Sequence, residues 1–92
     1  MIVRIMGEGQ LSVEDSVVSE LNLLDNELDA ALSGDDEPTF RVTLKALLAK
    51  VRAIGSPLPP DTLHASDLIL PPADATMEEV RELMSEDGLI PG

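Results

Sequence analysis

Residues 17–54 read VVSELNLLDNELDAALSGDDEPTFRVTLKALLAKVRAI, and this stretch decides the fold. Two apolar series run through it in steps of 4-3-4-3: Val17, Leu21, Leu24, Leu28 and Ala31, then Phe40, Leu44, Leu47, Val51 and Ile54. Such spacing places a continuous apolar stripe along one side of an α-helix. The segment between the two series, residues 33–38, is too short for anything but a tight reversal. We therefore predict two antiparallel helices within residues 14–54, a helical hairpin.

Capping residues mark the ends of both helices. The first helix is expected to begin at residues 14–15, where acidic side chains suit the positive end of the helix dipole. Gly34 is expected at the C′ position, just after that helix ends. One of the acids at 35–36 should cap the second helix, and Gly55 should end it.

The segments on either side of the hairpin contain strand patterns. Residues 2–6 are rich in side chains that favour β-strands, and apolar residues occupy both odd and even positions. Because neighbouring side chains of a strand point to opposite faces, this pattern predicts a strand covered on both faces or nearly so. Glycines then separate this strand from a second one at residues 10–13, so residues 1–13 read as a β-hairpin. After a proline-containing linker at 55–66, residues 67–70 form a short strand, expected to be buried between the helical hairpin and the N-terminal strands.

A third helix is predicted near the end of the sequence. Thr76 and Glu79 have the spacing of a capping box. Val80, Leu83 and Met84 fall on one face of the helix that follows, and Gly88 is its expected end. The predicted fold is therefore α+β in a single domain, residues 1–92. A small sheet packs on the helical hairpin, and residues 67–92 supply a strand, the third helix and a tail.

Composition excludes several classes of function. The chain has 92 residues, no Cys, one aromatic residue (Phe40) and a net charge of −12. Without Cys there is no disulfide scaffold or thiolate metal site, and with a single aromatic residue base stacking is disfavoured. The acidic surface would repel nucleic acid and anionic lipid. Apolar runs are too short for membrane insertion, and the absence of a secretory signal pattern makes the cytoplasm the expected compartment.

The basic residues are concentrated on the second helix. Residues 37–54 carry Arg41, Lys45, Lys50 and Arg52 against one acid, a net of +3, whereas residues 14–33 carry six acids and no base. Two interpretations stay open. The second helix can pair with the acidic first helix, or it can present a basic stripe to an acidic partner.

No catalytic, cofactor or metal site is predicted. His64 is the one histidine, and nothing around it suggests a catalytic triad. Residues 7–12 resemble a dinucleotide-binding loop only weakly, because a strand rather than a helix follows the glycines. The acids at 35–37 lack the order of a calcium-binding loop. We therefore expect a protein that is not an enzyme.

Two segments carry a resemblance to a known family. Residues 1–10, MIVRIMGEGQ, and 66–76, SDLILPPADAT, resemble the signature segments of the PspA-associated (PspAA) domain family. Residues 79–83 and 88–92 are similar to that family's closing segment. The resemblance implies an association with PspA, a coiled-coil membrane-remodelling protein of the bacterial envelope-stress response, the phage-shock-protein system. It implies no active site that can be carried over to this chain.

The function predicted from these observations is a protein–protein interaction module that acts with PspA. Six residues are the predicted partner contacts: Arg41, Lys45, Lys50, Arg52, Leu89 and Ile90. The first four would meet an acidic coiled coil, and the apolar pair in the tail would add to a groove or edge of the partner. Two alternatives remain, a homodimer that pairs the apolar stripes of two helical hairpins and a small-ligand-binding regulator.

Overall fold

A four-stranded sheet and two antiparallel helices pack around one shared apolar core. The structure is a computed structural model that describes residues 1–59 and 65–83. In chain order the elements are β1 (Ile2–Ile5), β2 (Gly9–Ser12), α1 (Val18–Ser33), α2 (Glu37–Ile54), β3 (Ser56–Pro57), β4 (Leu68–Leu70) and α3 (Met77–Leu83). A turn of 3₁₀ helix at Asp15–Val17 precedes α1, so the α-helix itself begins later than residues 14–15. The α+β fold class is confirmed.

The helical hairpin buries both predicted stripes. The buried members of the two predicted stripes are Leu21, Leu28 and Ala31 in α1 and Phe40, Leu44, Leu47 and Val51 in α2. Val17, Leu24 and Ile54 are partly buried against the same core. The stripes are wider than predicted, because Leu32 and Leu48 are also buried. Since both stripes are covered within one copy, they are not available for pairing between two copies.

The sheet has the order β3-β2-β1-β4. The predicted β-hairpin is confirmed, with β1 antiparallel to β2 and Val3 opposite Leu11. Gly7 and Gly9 have φ of +85° and +118°, a region that side chains rarely adopt, so glycine allows this tight turn. On the other side of β1, β4 runs parallel to it, with Val3 opposite Leu68.

In the described part of the chain the core covers one face of the sheet, which corrects the prediction for β1. Val3 and Ile5 are fully buried, whereas Arg4 is exposed and Met6 is 45% exposed. Apolar residues at both odd and even positions had predicted that both faces of the strand would be covered. The helices instead meet the Val3 and Ile5 face, and the open face keeps a few apolar side chains.

The position predicted for β4 is also wrong. This strand lies beside β1 at the edge of the sheet and not between the sheet and the helices. Leu68 and Leu70 point into the core, while Ile69 is 47% exposed on the open face. An apolar run of three residues is compatible with an edge strand because only alternate side chains need to be covered.

Part of the predicted linker belongs to the sheet. Ser56 and Pro57 form β3, which pairs with β2 so that Leu11 lies opposite Pro57. The backbone N–H of Leu58 extends this pairing by donating to the Gln10 carbonyl at 3.0 Å. Proline is tolerated here because β3 is at the edge, where its missing N–H faces no neighbouring strand.

The turn between α1 and α2 differs in detail from the prediction. Gly34 has φ −88° and is the C-cap of α1, directly after Ser33, and Asp35 holds the left-handed conformation at C′, with φ 56°. The Asp35 N–H donates to the Leu32 carbonyl at 3.2 Å, and the Asp36 N–H donates to the Ala31 carbonyl at 2.9 Å. These two bonds form a Schellman ending. An aspartate occupies the position that we expected glycine to hold.

Asp36 caps α2, as one of the two predicted candidates. Its carboxylate accepts from the Thr39 N–H at 3.3 Å and from the Thr39 hydroxyl at 2.6 Å. The hydroxyl bond, followed by the N–H bond, lowers the pKa of Asp36. Pro38 lies in the first turn, where the missing N–H removes no helical bond.

The predicted capping box begins α3. The Glu79 N–H donates to the Thr76 hydroxyl at 3.1 Å, and the Thr76 N–H donates to the Glu79 carboxylate at 3.2 Å. The two residues therefore satisfy each other's backbone donors.

The inner face of α3 is narrower than predicted. Val80 is fully buried, but Leu83 is 43% exposed and does not share its face. Met84 and the predicted helix end at Gly88 lie outside the described residues. Val80 and the partly buried Met77 thus join α3 to the core.

Candidate protein interaction surface

The four basic residues of α2 do not form one stripe. At about 100° per residue, Arg41, Lys45 and Arg52 lie within about 40° of one another, and Lys50 lies on the opposite side of the helix. The observed partners agree with this division, because Lys50 contacts α1 and the other cations do not. The geometry therefore gives α2 two basic edges instead of one basic face.

Arg41 is held by its own chain. Its guanidinium donates to the Ala75 carbonyl at 2.6 Å and to the Ala73 carbonyl at 3.4 Å, and it lies 5.2 Å from the centroid of the Phe40 ring. The side chain is half-buried. These contacts tie α2 to the segment that precedes α3, so Arg41 has a structural role whatever else it contacts.

Arg52 is paired with the turn of the β-hairpin. Its Nε donates to the Glu8 carboxylate at 2.8 Å, and its terminal nitrogen makes a second bond to the other carboxylate oxygen. These hydrogen bonds hold the pKa of Glu8 below its ordinary value and raise the pKa of Arg52. Both side chains remain about two-fifths exposed, so the pair is a surface contact that aligns α2 with the sheet.

Lys50 and Lys45 have different surroundings. Lys50 pairs with Glu20 of α1 at 3.3 Å, as the interpretation of charge pairing between the helices predicts. Lys45 is exposed, and over residues 1–59 and 65–83 no carboxylate lies within 4 Å of it. Arg41 donates to backbone carbonyls, and Lys50 and Arg52 pair with carboxylates. Lys45 is therefore the one of the four predicted cations that makes neither a hydrogen bond nor an ion pair in the described part of the chain. The predicted contacts Leu89 and Ile90 lie outside the described residues.

A feature that the sequence interpretation missed is an apolar line on the outer face of α2. Four exposed residues follow one another in steps of 4-3-4: Val42, Ala46, Ala49 and Ala53. Val42 is 69% exposed, and Leu23 on α1 is 67% exposed. The spacing was visible in the sequence. It became meaningful only once the opposite stripe was assigned to the core.

The acidic side chains of the described residues are not grouped as metal ligands. No three His, Asp or Glu side chains among residues 1–59 and 65–83 are placed to hold a metal ion. The acids at 35–36 are engaged, Asp36 in capping α2 and Asp35 with Arg81 at 2.9 Å. His64 lies outside the residues that the structure describes. Residues 7–12 form a hairpin turn and a strand, as predicted. No helix follows the glycines, as a dinucleotide-binding loop would require.

The fold and this surface define a small α+β module whose distinctive features are exposed helix faces. The chain belongs to the PspA-associated protein family, whose model matches residues 1–92. No curated protein and no solved structure matches the chain. In the described part of the chain, no helix combines the length and the hydropathy that crossing a membrane requires.

Proposed function

We propose that this protein is a non-enzymatic interaction module that binds a PspA-like coiled-coil protein in the cytoplasm during the bacterial envelope-stress response. The observation that carries the proposal is the family match, which spans residues 1–92 and whose name states the association with PspA.

The surface of α2 supports the proposal physically. A coiled coil with acidic flanks could pack its apolar residues on the apolar line of α2 and place its acidic side chains near the exposed cation Lys45. Charge complementarity of this kind orients a partner and speeds association more than it adds affinity. Arg41, Lys50 and Arg52 already have partners in their own chain. In PspA binding they would therefore contribute to the shape and the electrostatic potential of the α2 surface and not form direct ion pairs.

A co-purification experiment tests the proposal. Tagged chain is expected to enrich PspA from a defined mixture, and an unrelated protein of similar negative charge serves as the control bait. Equal recovery with both baits would remove the proposed function. Hydrogen exchange with and without PspA would then show which backbone amides the partner protects.

Two variants locate the surface. Lys45→Glu is expected to weaken PspA binding, because it reverses the charge beside the apolar line without breaking an ion pair among residues 1–59 and 65–83. Arg4→Glu is the matched control, since Arg4 is exposed on the open face of the sheet. Replacing both Leu89 and Ile90 by serine tests separately whether the tail contributes to PspA binding. Arg41 is unsuitable for charge reversal because it holds Ala73 and Ala75.

A further inference from the structure

The outer side of the helical hairpin exposes two large apolar residues. Leu23 of α1 and Val42 of α2 are 67% and 69% exposed, more than the other large hydrophobic residues in the described part of the chain. Small side chains surround them on the same faces: Ser19, Asn26 and Ala30 on α1, and Ala46, Ala49 and Ala53 on α2. Large side chains beside small ones give the knobs and holes that helix–helix packing requires.

The far edges of this face carry opposite charges. Lys50 and Glu20, 3.3 Å apart, mark the side on which the two helices meet. Lys45 is turned about 140° from Lys50, and Asp29 about 180° from Glu20, so each lies on the far side of its own helix. Both are exposed, and neither has an ionic partner within residues 1–59 and 65–83.

Symmetry limits how two such faces can meet. A twofold axis perpendicular to the helices would stack α1 on α1 and α2 on α2, which brings acid against acid and base against base. A twofold axis parallel to the helices stacks α1 of one copy on α2 of the other at both contacts. Charge complementarity therefore selects the second arrangement, which is closed and limited to two copies.

The Glu20–Lys50 pair also fixes which residues meet. Glu20 and Lys50 lie at the same height along the two helices. Because α1 and α2 are antiparallel, a step of three residues forward along α1 corresponds to three residues back along α2, so Leu23 is at the height of Leu47. A twofold axis parallel to the helices preserves this level. Leu23 of one copy then lies over the gap between Ala46 and Ala49 of the other.

We propose that this protein forms a twofold-symmetric dimer through the outer face of its helical hairpin, with Leu23 of each copy inserted between Ala46 and Ala49 of its partner. In this arrangement Asp29 of one copy lies about 6 Å along the axis from the level of Lys45 of the other, within reach of the lysine side chain. The dimer needs no other protein and uses none of the buried stripe residues. It covers the same outer face of α2 that the proposed function assigns to PspA, so dimerisation and PspA binding compete for this face.

Sedimentation equilibrium on the chain alone tests the proposal. The wild-type chain is expected to show a monomer–dimer equilibrium that shifts with concentration. Leu23→Asp should raise the dimer dissociation constant at least about tenfold, since symmetry places the charge in both contacts. Met6→Asp, at a 45% exposed apolar residue beside the sheet, should leave it unchanged. Equal melting temperatures at a concentration where all three chains are monomeric would confirm that both variants are folded, because dimerisation itself raises the melting temperature.

Exchanging the charges tests the choice of axis. Lys45→Glu and Asp29→Lys should each weaken the dimer, and the double variant should recover affinity, because the pair is restored with reversed sign at both contacts. A wild-type chain that stays monomeric at every concentration overturns the proposal. So does a double variant that is weaker than both single variants, or a Leu23→Asp chain that dimerises as well as the wild type.

Glu27 provides an independent check. It lies on the same side of α1 as Glu20, so this axis brings the two copies of Glu27 toward each other, and Glu27, unlike Glu20, has no ion pair within residues 1–59 and 65–83. Glu27→Gln is expected to strengthen the dimer by a few fold. A weakened dimer would contradict the parallel axis.

Discussion

Gly55 shows how a single residue limits the junction between α2 and the sheet. Its φ of −86° and ψ of 155° suit any residue, so conformation is not the constraint. Space is the constraint, because a Cβ would lie 2.7 Å from the Val51 carbonyl oxygen and 3.1 Å from the Cβ of Leu11. We predict that Gly55→Ala lowers the free energy of unfolding by about 1–3 kcal/mol, the usual cost of overpacking, as measured by urea denaturation.

Gly34→Ala is the matched control for that prediction. Gly34 also ends a helix, but its φ is −88° and a Cβ there would meet only the Ala30 carbonyl oxygen, at 3.4 Å. Alanine at such a position restricts the unfolded chain and is expected to be neutral or to stabilise by up to about 1 kcal/mol. Equal losses in the two variants would show that the close approach to Leu11 is not the cause.

The contact between Glu8 and Arg52 makes a second residue-scale prediction, on pH. Hydrogen bonds from Arg52 lower the pKa of Glu8 from its ordinary value of 4.5. The stability that this pair adds is therefore fully present above pH 4.5 and is lost as the pH falls through the lowered pKa. Because both groups are exposed, the contribution is at most about 1 kcal/mol.

Comparison of the wild type with Glu8→Gln measures this effect. The difference in the free energy of unfolding should be largest near neutral pH and should shrink below pH 4.5, where the wild-type carboxylate becomes protonated. Arg52→Gln should give the same pH dependence, since it removes the other partner. A difference that grows on acidification would contradict the assignment.

At the scale of elements, α3 is attached to the end of α1 by one arginine. The Arg81 guanidinium donates to the Leu32 carbonyl at 2.7 Å and to the Asp35 carboxylate at 2.9 Å. A cation beside the last carbonyls of a helix is favourable, because these carbonyls carry the negative end of the dipole. Arg81 therefore caps α1 from another element, and Val80 anchors the same helix in the core.

We predict that Arg81→Met lowers the free energy of unfolding by about 1.5 kcal/mol, the lower end of the range for a hydrogen bond to a charged group, because the Arg81 side chain is 43% exposed. Hydrogen exchange should accelerate in α3 more than in α2, because α3 has fewer other contacts with the core. Arg4→Met serves as the control, since an exposed surface substitution typically changes stability by less than about 0.5 kcal/mol. Equal effects of the two substitutions would refute the capping role.

The parts of the fold that the sequence predicted are those with local signals. Apolar spacing located both long helices, and local chemistry located the Asp36 cap and the capping box of Thr76. These features depend on residues within a few positions of one another. No local signal exists for β3, whose two residues pair with a strand more than 40 positions away. The left-handed Asp35 was missed because glycine, the commoner residue there, is its neighbour.

The candidate surface was harder to predict because it consists of residues that the rest of the fold leaves exposed. Arg41 reads as a free cation in the sequence, and only the fold brings the Ala75 carbonyl, 34 positions away, to its guanidinium. One-sided cover of the sheet is equally non-local, since Met6 and Ile69 are apolar but exposed. Family resemblance predicted the association with PspA, and it says nothing about which face a partner meets.

At the scale of the whole molecule, the dominant feature is a net charge of −12 on 92 residues. The described ion pairs engage only a few of the eighteen acids, including Glu8, Glu20 and Asp35. Most acids therefore repel one another, and this repulsion opposes the compact state. A partner with exposed positive charge would relieve it, whereas an acidic partner must rely on the local basic edge of α2.

This repulsion predicts how stability depends on salt. Raising the salt concentration from about 0.01 M to 0.15 M shortens the screening length from about 30 Å to about 8 Å, so the repulsion weakens more than the close ion pairs do. We predict that added NaCl raises the melting temperature by about 4–8 °C, equivalent to about 1 kcal/mol for a domain of this size. Replacing Glu14, Asp74 and Glu82 by their amides changes the net charge from −12 to −9 and should reduce the response. A melting temperature that falls with salt would mean that attractive pairs, and not the excess of acids, dominate the electrostatics of this fold.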